Sequence, residues 1–251
     1  MNNIELSILL PAFLAGLLIL ATHIPLGMKV LARGVIFADI AVAQIAGLGV
    51  IIAGMLNLTE HPILVQGIAA TSALCGAAML TWIERRLPEV KEACIGLTFV
   101  LAASAGILLM SHDVHAGEHL KDLLVGQILW VSTGQLLITA IVSIALLVLW
   151  GIQPARFGHF GFYALFALAV TVSVQLAGVY LVFASLIVPA LSTWRIQKSR
   201  MIYAFIVGIT GYAIGLLLSS WFDLPAGAAI VWAMALSGGI TTLLTKPRKA
   251  T

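Results

Sequence analysis

The sequence predicts an all-α fold, a polytopic integral membrane bundle of about eight or nine transmembrane helices forming one domain over residues 1–251. Three observations predict it. Hydrophobic residues make up 61% of the chain and charged residues only 9%, with a mean hydropathy of +1.11, far from the composition of a soluble domain. Apolar stretches near the ~20 residues that cross a bilayer recur from end to end and leave no room for a separate soluble domain. Lys and Arg gather in alternate connections, the pattern left by retention of basic loops in the cytoplasm.

The expected spans are 5–27, 35–56, 62–83, 93–111, 132–150, 162–178, 179–196, 201–220 and 227–245. The first opens with MNNIELSILLPAFLAG, which lacks the basic segment of a cleavable signal, so it is expected to stay in the mature protein. His23, two residues before Pro25, reads as structural. The second span is rich in Ala and Gly (Ala38, Ala41, Ala43, Ala46, Gly47, Gly49, Ala53, Gly54), residues that let helices approach closely inside a bundle. Spans 162–178 and 179–196 read equally as one tightly turned or broken helix pair. Pro189 in LIVPALS is expected to break or bend it, with Ser185, Ser192 and Thr193 available to satisfy freed backbone groups. Gly208, Gly211 and Gly215 form a close-packing face, and Asp223, Leu224, Pro225 and Gly227 form the turn between the last two spans. Cys75 and Cys94 lie outside any CxxC pair and read as buried thiols without a redox or zinc role.

Charge sets the orientation. Lys29 and Arg33 fall in the first connection, Arg85, Arg86 and Lys91 in the third, Arg156 in the fifth, Arg195, Lys198 and Arg200 in the seventh, and Lys246, Arg248 and Lys249 at the C-terminus. Twelve of the thirteen basic residues therefore share a side, with only Lys121 opposite. This places the chain in the inner (plasma) membrane with its N-terminus outside and its C-terminus cytoplasmic. The net charge of +3 is thus a topology signal and does not point to nucleic acid.

One residue breaks the apolar pattern of the second span. Asp39 is a carboxylate placed where desolvation costs several kcal/mol, so it is expected to face protein, water or an ion. One reading is a cation-binding or gating group on a translocation path. The other is a helix-end Asp near the cytoplasmic interface, held by Arg33 or a backbone group. Gln44, five residues on, lies about 140° round the helix from Asp39, so one straight helix does not aim both at one small ion. It either ties helices together or touches substrate.

The text around Asp39, VLARGVIFADIAVAQIAGLG, resembles the ABC-3 permease family, the membrane subunits of ABC importers for zinc, manganese and iron. There a cytoplasmic basic stretch precedes a helix with Gly-Asp, a small-residue run and a His, followed by Gly. Three further blocks agree: EACIGLTFVLAASAGILLM at 92–110, AGVYLVFASLIVPALSTWRI at 177–196 and SSWFDLPAGAAIVWAMAL at 219–236. The family Asp maps onto Asp39, but the His expected four residues later is Ala43, with Gln44 as its polar neighbour.

The resemblance implies a permease that pairs as a homodimer, binds a cytoplasmic ATP-binding subunit and receives a divalent metal ion from an extracytoplasmic metal-binding protein. The chain has no GxxxxGK[ST] phosphate loop, so ATP hydrolysis is expected on the separate subunit, with neither enzyme activity nor cofactor here. Coupling to that subunit is expected in GIQPARFGHFGF at 151–162, which carries Gln153, Pro154, Arg156 and Gly158; a plain interfacial loop is the alternative. His159 is expected to pack or hydrogen-bond there. Outside, SHDVHAGEHLKD places His112, His115 and His119 three and four residues apart, with Glu118 among them. Imidazole with carboxylate suits zinc and, less selectively, manganese or ferrous iron, which ranks zinc first, then manganese or iron. A solvated His-rich loop is the alternative reading. An ATP-independent secondary cation transporter or channel would also fit the intramembrane acid, but would need neither the coupling segment nor an ATPase.

Overall fold

The computed structural model describes residues 3–56, 58, 60–110, 124, 126–152 and 158–245. Among these residues the regular structure is helical: α1 (Asn3–Arg33), α2 (Ala38–Met55), α3 (Pro62–Arg86), α4 (Lys91–Leu109), a 3₁₀ turn (Ile128–Trp130), α5 (Thr133–Ile152), α6 (Gly158–Ser192), α7 (Arg200–Phe222) and α8 (Ala226–Leu244). All eight α-helices are long and apolar enough to cross a membrane. In hydrocarbon every backbone N–H and C=O must find a partner within the protein, and the helix is the local solution to that demand.

The expected spans 162–178 and 179–196 are two helical segments, numbered together here as α6, that meet where the backbone leaves the helical region at Gly178 (φ 75°, ψ 163°), the broken helix pair that the sequence allowed. Such a φ suits glycine because no Cβ meets the neighbouring carbonyl. Gly178 is also tightly packed, since a Cβ built on Gly126 would lie 2.3 Å from its nitrogen and 2.2 Å from the Ala177 carbonyl carbon. Pro189 is not the break: it sits within helical backbone. The nearby hydroxyls donate to carbonyls of their own helix, Ser185 to Leu181 at 2.7 Å, Ser192 to Pro189 at 3.2 Å and Thr193 to Pro189 at 2.7 Å.

The chain divides into two compact units, one of Met1–Arg33, Leu124–Ile144 and Leu176–Thr251 and the other of Gly34–Leu123 and Ala145–Gln175. In the first, glycines allow near-backbone contact. A Cβ on Gly211 would lie 2.7 Å from Met234 Cα, one on Gly215 2.3 Å from Ile230 Cα, and one on Gly208 2.6 Å from a methyl of Leu20. Gly16 abuts the ring of Tyr212, and Gly27 abuts the carbonyl of Leu186. These pairs set the directions: α7 runs antiparallel to α1 and to α8. The second half of α6 also opposes α7, with Ser185 against Tyr212 and Ala190 against Arg200. Lys29 and Arg33 near the end of α1, and Arg195, Lys198 and Arg200 between α6 and α7, therefore lie at one end of this unit.

The second unit follows the same logic. A Cβ on Gly49 would lie 2.9 Å from Ala69 Cα and one on Gly76 2.8 Å from Ile45, which fixes α2 and α3 as antiparallel neighbours. Glu92 in the first turn of α4 accepts from the Phe37 backbone N–H at 3.1 Å, while Gly106 near the far end of α4 faces Ile51 and Leu48. The α2 and α4 helices hence run in parallel. The first half of α6 is strapped antiparallel to α3 by polar pairs near both ends, His159 with Glu84 at 2.8 Å and Gln175 with Gln66. Phe162 stacks on Phe166 with ring centroids 5.9 Å apart, filling the turn above the His159 strap. Arg85, Arg86 and Lys91 lie at the end that also holds the start of α2.

The cysteines depart from expectation. Cys75 is exposed and Cys94 half-buried, both as free thiols. An apolar run reads as interior from sequence, but in a bilayer the same residues also suit the lipid-facing side of a helix, and α3 and α4 turn much of their apolar surface outward.

Candidate functional site

Asp39 occupies the first turn of α2, after the turn made by Gly34 (φ 64°). The unpaired backbone N–H groups at a helix start favour an anion there, which lowers the cost of a carboxylate at this depth. The side chain is nonetheless 1% exposed, and its Oδ1 has no hydrogen-bond partner among the described residues. Small residues surround it along α2: Ala38, Ala41, Val42, Ala43 and Ala46 are all buried. A bare, buried carboxylate oxygen is a strong ligand for any cation that reaches it and a costly group to keep otherwise.

Gln44, five residues on, is half-buried. Ala43, one turn from Asp39 and in the position where the resemblance led to the expectation of His, is 2% exposed and offers no ligand atom. From α2 itself, then, the donor beside Ala43 is the Asp39 carboxylate, with the Gln44 carboxamide on another face of the helix. Among the described residues no group of three or more His, Cys, Asp or Glu is arranged to hold a metal ion.

His112, His115, Glu118 and His119 lie outside the described residues, as do Gln153, Pro154 and Arg156. Gly158 is described and opens α6 with φ 53°, a left-handed value that favours glycine. The next residue, His159, is half exposed and joins Glu84 near the end of α3. Sequence reading expected His159 to bond locally; its partner lies 75 residues away, a separation to which local spacing is blind.

A second buried heteroatom was read from sequence as merely structural. His23 in α1 is fully buried, with Nδ1 3.0 Å from the Ile19 carbonyl oxygen and 3.0 Å from Thr22 Oγ1, while Nε2 has no partner among the described residues. Its ring is thus held on one side only.

These features define a polytopic helical membrane protein with ionisable or ligating groups kept inside its helices. The chain belongs to the ABC 3 transport family, whose model matches residues 5–154 and 148–239. It is 29% identical over 197 residues to the chelated iron transport system membrane protein YfeD of Yersinia pestis, covering 69% of this chain and 65% of that one. It is 28% identical over 185 residues to the manganese transport system membrane protein MntC of Listeria innocua, covering 65% and 66%. The matched region spans 60% to 70% of the length of the curated relatives. A chain of PsaBC from Streptococcus pneumoniae, solved in complex with a Fab, shares the fold with a TM-score of 0.75 over 95% of this chain and 90% of that chain, at 23% identity.

Proposed function

We propose that this chain is the permease subunit of an ATP-driven importer for a divalent transition metal, and that Asp39 binds the ion on its path. The observation that carries the reading is the buried, unpartnered Asp39 oxygen in a small-residue helix of an ABC 3 family chain. The named activities of the relatives, iron and manganese transport, support the metal class. They also shift the ranking of metals. With Ala43 in place of an imidazole, α2 offers oxygen donors, which suit manganese and ferrous iron better than zinc. We therefore rank manganese and iron ahead of zinc, which rests on the outer histidines alone.

The remaining assignments follow from that reading. A cytoplasmic ATP-binding subunit docks on 151–162, through Gln153, Pro154, Arg156 and Gly158; an extracytoplasmic binding protein delivers metal near His112, His115, Glu118 and His119; two copies of the chain form the pore. In each unit the described basic residues gather at one end, which by the positive-inside rule is the cytoplasmic end, with the N-terminus outside and the C-terminus inside. Growth rescue of a strain lacking its own metal importers, with cellular manganese, iron and zinc measured alongside, tests the activity. Rescue by none of the three would end the proposal. A cysteine at Arg156 tests the orientation: it should cross-link to the ATPase groove and resist an impermeant thiol reagent applied to intact cells, and outside labelling would invert the topology and remove the coupling assignment.

A further inference from the structure

Helix α2 starts without a cap of its own. Residues 34–38 read Gly-Val-Ile-Phe-Ala and offer no side-chain oxygen, so Phe37, the residue before the helix, makes no side-chain capping bond. The opening N–H groups of a helix have no partner inside it and must find one elsewhere. Ala38 finds the Val35 carbonyl at 3.1 Å, and the Phe37 N–H finds Glu92 Oε1 on α4, also at 3.1 Å. Asp39 lies in the same first turn, yet its Oδ1 engages none of these donors.

Glu92 serves two helix ends at once. It sits in the first turn of α4, and because α4 runs parallel to α2 within one compact unit, the positive ends of both helices lie side by side. A carboxylate there offsets both dipoles, and its bond to Phe37 is charge-assisted, stronger than a neutral cap would make. The turn that carries Asp39 depends on that bond. Gly34, with φ 64°, has nothing within 4 Å of the place a Cβ would take, and Phe37 is 45% exposed, so residues 34–37 are anchored by the buried Val35 and by Glu92. The anchor lies two residues before Asp39, and a shift of Phe37 carries the Asp39 carboxylate with it.

We propose that Glu92 is a positioning residue for ion binding: from α4 it caps the start of α2 and fixes the turn from which Asp39 meets the transported divalent cation. The inference rests on the reading of Asp39 as an ion ligand. Glu92 is not itself a ligand in this scheme; it acts through the Phe37 N–H, as the outer partners of metal ligands do when they hold those ligands in place.

Two substitutions separate the hydrogen bond from the charge. Glu92→Gln keeps an acceptor oxygen at the same reach and loses the charge, whereas Glu92→Asp keeps the charge and shortens the arm by one carbon. Mn²⁺ binding to the purified full-length permease is measured by equilibrium dialysis, with Glu92→Ala and Asp39→Asn alongside. Glu92→Ala should weaken binding about tenfold or more, with the number of ions bound per folded chain unchanged. Glu92→Asp should match it, and takes its place if the Ala variant does not fold, while Glu92→Gln should recover most of the loss. A merely structural role would instead lower the number of ions bound at unchanged affinity, which overturns the inference. So does the opposite order, with Asp tolerated and Gln as damaging as Ala, because the charge and not the bond to Phe37 would then matter. Either result, with Asp39→Asn still weakening binding, leaves the permease reading standing. Binding as tight in Asp39→Asn as in the unmodified protein, or no binding of Mn²⁺, Fe²⁺ or Zn²⁺ to the latter, overturns both.

Discussion

Three acids of the same unit, Asp39, Glu92 and Glu84, are held in three different ways. Glu84 is paired with His159 across two helices. Glu92 uses one oxygen to hold the Phe37 N–H and leaves the other without a partner among the described residues. Asp39, the most deeply buried, has an oxygen that nothing in the described protein engages. Pairing suits an acid that positions helices, and bareness at depth is the feature on which the proposed cation role of Asp39 rests. The contrast assigns different consequences to losing each charge.

The largest effect is expected at Asp39. Removing its charge at constant shape with Asp39→Asn should cut metal uptake to roughly a tenth or less, while membrane insertion and assembly with the ATPase persist. Thermal stability should hold or rise, because an uncompensated buried charge is lost rather than a partnered one. Uptake at the wild-type level would place Asp39 with Glu84 among the positioning acids.

Next comes packing. At Gly215 even a methyl group would lie 2.3 Å from Ile230 Cα, and neither backbone yields easily. Gly215→Val should destabilise by about 1–3 kcal/mol or more, seen as a lower melting temperature and a poorer yield in detergent. A stable Gly215→Val protein would mean that α7 and α8 are not pressed together as described. The result calibrates how much of any uptake defect comes from the fold.

The Glu84–His159 pair should give the reverse profile of Gly215. With His159 half exposed, the bond contributes under about 1 kcal/mol, so Glu84→Gln or His159→Ala should barely move the melting temperature. Because the pair ties the start of α6 to α3, these substitutions should raise the ATP hydrolysed per ion imported, read in reconstituted vesicles. Unchanged stoichiometry would reduce the strap to local packing. The smallest effect is expected outside, where His115→Ala with His119→Ala should raise the metal concentration for half-maximal uptake a few-fold, without changing the maximal rate. An unaltered concentration dependence would return that segment to a solvated loop.

Most of the architecture was legible in the sequence because the bilayer enforces it. Hydrocarbon admits only backbone that satisfies itself, so each long apolar stretch had to be a helix, and Ala and Gly runs had to mark close contacts. Gly211 and Gly215 pack as their spacing implied, and Asp223 (φ 51°) caps α7 as the turn residues implied. Asp39 stood out because a carboxylate there is expensive in any fold. What the sequence did not determine was which heteroatoms are left over once helices pack. Cys75 faced outward because a lipid face and a protein core accept the same apolar residues. Gly178, not Pro189, became the break in α6, where Gly126 packs against the backbone. Glu84 met His159, and His23 spent one nitrogen and kept the other, through contacts that depend on how turns of helix face one another. Partnership in a membrane protein is a tertiary property: composition says that a polar atom is buried, and only packing decides whether anything in the protein reaches it.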